Sequence, residues 1–466
     1  MLPIQTAMGQ AVQTAPAVIL DSQEAALPEW SLLKRIVFRF VCSYLMLYNL
    51  PMMGHVNLLE AIPGVPWLSE KYIRVWHAIV PWVAIHVFNL TGPVTVYPAG
   101  NGSGDTTLDY VEDLCLVVVA LIGTIIWSLI NFKRRDYRRI HFYLRVYVRY
   151  ALSFTLFGYG FAKVFPTQFI FPTLGRLVEP LGEFSPMGLL WNFMGYSTAY
   201  IIFSGLAEVT GATLLLFRRT ATLGAMASAA VLLNVVMLNF CYDVPVKLYS
   251  LNLLLMVIFL MVPDLGRLAN LLVLNRPTST AELASPRFEA RWIKPRWMKI
   301  GAIAFKVLFV GYFLYGTIKG GWEGYKGYVL NRPKAPIYGL YEVESFNRAG
   351  QELAPLTADA ARWRRVMIQS PAAFTVRMMD DSAHVYSTEY NEPKNSLTIS
   401  GDPDKSKKNV FSYSRPDPDH VVLQGTLIGD PVVVKLKRID PSKFLLVNRG
   451  FHWINELSSL ISTGPL

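Results

Sequence analysis

The chain has 466 residues, 52% hydrophobic and 17% charged, with a mean hydropathy of +0.32 and a net charge of +11. Soluble domains carry charge on about a quarter of their residues, so this composition excludes a soluble globular protein and points to helices that span a bilayer, each needing ~20 apolar residues. The positive charge does not point to nucleic acid, because Lys and Arg cluster at the ends of apolar runs, the pattern of cytoplasmic loops under the positive-inside rule.

Residues 1–30 are small and polar and read as a flexible N-terminus. They hold no basic segment followed by a long apolar core, so the first span is expected to act as an uncleaved anchor. That span, 32–53, opens with Lys34, Arg35 and Arg39. The stretch 72–90 is aromatic and apolar but carries Arg74, His77, His86 and a central Pro81, which can break a helix. It reads as a re-entrant or interfacial helix, with a full span as the alternative. Further spans are expected at 110–131, 141–165, 196–217, 221–241, 247–264 and 300–318. Counting Lys and Arg in alternate loops then places the N-terminus inside and residues 320–466 outside, provided 72–90 does not cross.

From 337 to 447 the pattern changes to short alternating runs, from "WRRVMIQ" and "FTVRMMD" to "PVVVKLKRI" and "KFLLV", separated by turn residues. Period-2 alternation bounded by such turns predicts about eight strands in an antiparallel meander, a small barrel or half-barrel. The fold class is thus a polytopic α-helical membrane protein of about seven transmembrane helices with a C-terminal β-meander or barrel-like domain. Its parts are a flexible 1–30, a membrane hairpin with the re-entrant or interfacial segment at 31–139, and a four-helix bundle at 140–275. A basic cytoplasmic linker at 276–298, a last span at 299–319 and an external β-rich domain at 320–466 follow.

Glu208 lies within the apolar run 200–217, and an ionisable group at that depth marks a functional site by default. Arg149 lies ten residues from Arg139, and Glu208 ten residues from Arg218, roughly 15 Å of helix rise in each case. Equal depth predicts a buried Arg149–Glu208 pair, serving either a ligand or helix packing alone. Nearer the external surface, Lys163, Tyr159, Asn239 and Asp243 fall in one layer with Cys241, Tyr242 and Lys247. They read as a polar mouth for the headgroup of an amphipathic ligand, with Gly158 and Gly160 leaving room for its tail; ordinary interfacial anchoring is the other reading.

In "NGSGDTTLDYVE" the oxygen-bearing side chains of Asn101, Ser103, Asp105, Thr107, Asp109 and Glu112 match the spacing of a calcium-binding EF-hand loop. Asn at the first position and Thr106 in place of the required glycine depart from it. The competing reading is a Gly-rich turn into an N-capped helix. His77 and His86 are nine residues apart, too far for a metal pair on one helical turn. Cys42, Cys115 and Cys241 show no metal or redox spacing and are expected as buried free thiols. The β-region holds no catalytic grouping around His384 or His420.

Arg149, Gly158, Gly160 and Lys163 in "RYALSFTLFGYGFAKVF", with Gly205, Glu208 and Gly211 in "FSGLAEVTGATLLLF", resemble the first two helices of the DoxX/DoxD-like family of small four-helix membrane proteins. The resemblance covers about 140–270. It implies a four-helix bundle with Arg149, Lys163 and Glu208 on its polar face, and a link to quinone or thiol redox chemistry in the bacterial inner membrane. Family members include proteins similar to the membrane subunit of a thiosulfate:quinone oxidoreductase. The layout is also similar to that of membrane carboxylase-like proteins that act on reduced quinones, whose catalytic pattern is not found in this sequence. Two function classes follow. One is a quinone- or lipid-linked redox protein; the other is a non-enzymatic binding or assembly protein whose β-domain recruits an envelope partner.

Overall fold

The computed structural model describes residues 29–50, 66–92, 103–278, 295–357, 359, 361–401 and 408–454. Each expected apolar run carries a helix. These are α1 (Leu32–Tyr48), α2 (Pro66–His86), α3 (Thr107–Ile130), α4 (Arg138–Val164), α5 (Leu174–Leu177), α6 (Pro186–Tyr196), α7 (Thr198–Leu216), α8 (Ala221–Cys241), α9 (Lys247–Met261), α10 (Leu265–Leu272) and α11 (Arg296–Tyr325). Five are long and apolar enough to cross a membrane: α3, α7, α8, α9 with its continuation to Leu272, and α11 with its continuation to Leu330. The shorter α1, and α4 with its internal Arg145, Arg149 and Lys163, fall outside that measure.

Helices α1 and α3 form an antiparallel pair. At one end Arg39, buried on α1, donates to Tyr137 Oη at 2.8 Å, to Ser128 Oγ at 2.8 Å and to the Asn131 carbonyl at 3.1 Å. At the other end Tyr48 joins Leu108, Val111 and Cys115 of α3 in one apolar cluster. Trp76, Val80 and Ala84 of α2 complete that cluster, so α2 packs at the Tyr48 end of the pair. Pro81 does not break α2. A proline removes one helical hydrogen bond, and the buried residues that flank Pro81 hold the helix across the gap.

Helices α4, α7, α8 and α9 each pack on two of the others, α4–α7, α7–α8, α8–α9 and α9–α4, closing a four-helix ring. The α4–α7 seam is the tightest. A Cβ added at Gly205 would stand 2.6 Å from the Gly160 carbonyl oxygen and 2.8 Å from Lys163 Cβ. Gly160 therefore serves helix contact, not a ligand tail, while Gly158 faces open space. Helix α11 buries none of its residues and touches α4 through Phe309 and Phe313, which pack on Phe154 at ring distances of 5.8 and 4.1 Å.

The C-terminal domain is a closed antiparallel barrel. Its strands are β1 (Gly339–Arg348), the two-residue β2 (Gln351–Glu352), β3 (Trp363–Ser370), β4 (Ala373–Met378), β5 (Ala383–Asn391), β6 (Ser396–Gly401), β7 (Lys408–Asp417), β8 (His420–Leu427) and β9 (Asp430–Ile439). Neighbours pair in the order β1-β3-β4-β5-β6-β7-β8-β9, and β9 returns to pair with β1, which gives eight barrel strands plus the short β2. The predicted strand set errs at both ends. Strand β1 escapes sequence reading because a bulge between Val343 and Ser345 shifts its alternation. "KFLLV" is no strand: after Pro441 the chain turns into α12 (Leu445–Asn448), since β9 has already closed on β1. The interior is filled around Trp363, whose ring lies 5.5, 5.8 and 6.2 Å from those of Phe346, Phe374 and Phe411.

The barrel docks on the α4–α7 connection. Leu340 and Tyr341 are both buried, as are Val366, Met367 and Ile368. Consecutive buried residues on a strand mean that both faces are covered. Here Leu340 and Met367 turn outward and pack with Leu174 and Val178. Beside them Arg377 bonds Glu183 at 2.9 Å.

Candidate functional site

Glu208 sits at mid-length on α7 and Lys163 near the end of α4. The glycine seam brings the two helices close enough for Lys163 Nζ to donate to both Glu208 carboxylate oxygens, each at 3.0 Å. The side chains are only 8% and 4% exposed, so the charges have little solvent to share. The Tyr159 ring lies 5.6 Å from the Lys163 ammonium.

The expected Arg149–Glu208 pair does not form. Ser153 Oγ on α4 donates to the Ala212 carbonyl on α7, and Gly160 meets Gly205 and Val209. Each step back along α4 is therefore a step forward along α7. Arg149, one turn before Ser153, is level with the end of α7 near Leu216, about two turns from Glu208. Counting both depths from the terminal arginines failed because α4, at 27 residues, outruns the 19 residues of α7 at that end. Arg149 is buried, its guanidinium lies 5.1 Å from the Tyr150 ring, and its Nε and Nη1 have no hydrogen-bond partner.

A cavity of about 120 Å³ opens beside the ion pair, lined by Lys163, Glu208, Tyr159 and Asn239 together with Gln168, Asn234, Trp191 and Tyr249. Four of the sequence-predicted residues thus share one site. Asp243 is outside it, largely exposed and paired with Lys247 at 2.8 Å. Gln168 was missed by sequence reading because it lies in the connection between spans. It lines the cavity, and its buried Oε1 has no hydrogen-bond partner. Helix α6, which supplies Trp191 and Met194 to the cavity wall, was also missed, although Ser185 as cap and Pro186 as first residue are a helix-start signature.

The proposed calcium ligands take other roles. Asp105 accepts the backbone N–H groups of Lys247 and Leu248 at 2.7 and 3.0 Å, capping α9 from across the chain. Thr106 and Asp109 form a capping box at the start of α3, so the N-capped turn is the reading the structure follows. Glu112 is buried on α3 and Asn101 lies outside the described residues. Of the cysteines, Cys42 and Cys115 are buried and free, but Cys241 is exposed, since it ends α8. His86 stacks on Trp82 at 4.8 Å. In the barrel His420 Nδ1 bonds Asp417 at 2.8 Å, and that hydrogen bond holds its pKa above the usual value.

No protein-family model matches the chain, and no solved structure matches it. Among curated proteins it is similar to the uncharacterized protein YwoB of Bacillus subtilis (strain 168), with 36% identity over 118 residues, 25% of this chain and 73% of YwoB. Over that quarter of its length, the chain belongs to the same family as YwoB.

Proposed function

We propose that this is a multi-pass inner-membrane protein of DoxX-like type that holds a quinone headgroup in the Lys163–Glu208 cavity and serves redox chemistry of the cell envelope. The observation that carries the reading is a mostly apolar cavity with a neutral ion pair and the unpartnered Gln168 Oε1 in its wall. A buried pair of zero net charge disfavours a charged ligand, which would enter without a counter-charge. A neutral quinone or quinol suits it. The Lys163 ammonium can donate to a quinone carbonyl, and Gln168 Oε1 can accept from a quinol hydroxyl. About 120 Å³ is the scale of a single ring, comparable to engineered cavities that take benzene. The isoprenoid tail would leave between helices into lipid.

Organic extracts of the purified protein, analysed by mass spectrometry, should contain a quinone near one per chain. The Lys163→Met/Glu208→Leu double variant should lose it, and Asp243→Asn, outside the cavity, should keep it. A wild-type extract without quinone, or a double variant that retains it, rejects the reading.

The orientation proposed with it has seven spans, with α2 interfacial, the N-terminus cytoplasmic and the barrel periplasmic. The basic loops support it. Alkaline phosphatase fused after Leu466 should be active and fused after Asn275 inactive; the reverse pattern would overturn the orientation. The second function class draws on the docked barrel. Its packed interior leaves only its outer surface to recruit an envelope partner.

A further inference from the structure

A second and larger concavity lies at the opposite end of the helices from the ion pair. It is a groove of about 920 Å³ between α1, α3, α4 and α9. On α1 it runs from Lys34 to Leu45, about 17 Å of helix, close to the half-thickness of a ~30 Å hydrocarbon core. Val37, Val41, Leu255, Ile258 and Phe259 make its walls apolar. Lys34 and Arg138 stand at one end.

That end is strongly basic. Residues 29–35 and 131–141 hold Lys34, Arg35, Lys133, Arg134, Arg135, Arg138 and Arg139 against Glu29 and Asp136, seven positive charges and two negative. Glu29 is bonded to Arg135 and Asp136 to Arg138. The Lys34 ammonium lies over the Trp30 ring at 4.6 Å and has no carboxylate partner among the described residues. An apolar slot of lipid length that ends in excess positive charge at the headgroup level has the form of an anionic-lipid site.

We propose that this groove binds a phospholipid with an anionic headgroup, its acyl chains along α1 and α9 and its phosphate between Lys34 and Arg138. The site is separate from the Lys163–Glu208 cavity, and the proposal does not depend on the quinone reading. Bulk lipid would fill the groove whatever its headgroup, so the claim is one of headgroup selectivity.

The test is thermal unfolding of the full chain in neutral detergent with added phosphatidylglycerol or phosphatidylcholine, together with native mass spectrometry of retained lipid. Wild type should retain phosphatidylglycerol and unfold at a higher temperature with it than with phosphatidylcholine. Lys34→Gln and Arg138→Gln should each weaken phosphatidylglycerol binding roughly fivefold, the factor that corresponds to about 1 kcal/mol per basic side chain at an anionic surface. Lys319→Gln, a lysine on α11 outside the groove, should leave binding unchanged. Equal stabilisation by the two lipids, or unchanged phosphatidylglycerol binding in both groove variants, overturns the proposal. It is also overturned if only a chain lacking residues 1–28 binds the lipid, which would assign the groove to that segment.

Discussion

Glu208→Gln is expected to destabilise the helical bundle by about 3–5 kcal/mol, the cost of removing one partner from a buried ion pair. The Lys163 side chain is only 8% exposed and packs against the α7 backbone, so its ammonium would stay largely buried beside a neutral amide. The double change Lys163→Met/Glu208→Leu removes both charges and should recover most of that loss, because replacing a whole buried pair by apolar groups is neutral or stabilising. Denaturant unfolding of the three proteins in detergent measures the difference. A Glu208→Gln protein as stable as wild type would show that the pair carries little energy. A double variant as unstable as the single would place the loss in packing instead.

The second large effect is expected at Asp264. This carboxylate is 1% exposed and accepts from Arg145 at 3.1 Å, from Arg267 at 3.0 Å and from Thr222 at 2.9 Å. It joins the end of α9 to α4 and to the start of α8. Asp264→Asn removes the carboxylate charge that faces the equally buried Arg145 guanidinium and should also cost about 3–5 kcal/mol. Arg267 is partly exposed and pairs locally along the chain, so Arg267→Ala should cost less than about 1 kcal/mol. Similar losses for the two variants would mean that burial is not what gives this carboxylate its weight. Thermal unfolding in one detergent ranks them.

The helices were legible because apolar runs and basic ends survive any detail of packing: 221–241 was predicted and α8 occupies Ala221–Cys241. Side-chain partners were harder. Glu208 stood out as a charge in an apolar run, but its partner is set by how far α4 slides along α7, and that slide is set by Gly160 against Gly205. Helix rise measured from each basic end cannot report it. Asp264 was hidden for a different reason. It follows Pro263 at the expected end of a span with Arg267 nearby, a place where a lone carboxylate carries no signal, and only the fold brings Arg145 of α4 to it. Gln168 and α6 lay in a stretch read only as a connection, where there is no long apolar periodicity to read. In the barrel, alternation showed the interior faces well, but the bulged β1 broke the rule that would have revealed it.

The pairing of β9 with β1 limits how another protein can engage the C-terminal domain. A sheet with a free edge can capture an extended peptide through its unpaired backbone groups. Among the described residues no barrel strand is an edge strand, because each is flanked on both sides, and β2 is only two residues long. Recruitment by strand addition is therefore closed to it, and so is edge-to-edge self-association. Any protein that recognises this domain must read its outward side chains and its turns, as the helical part does through Leu340 and Met367.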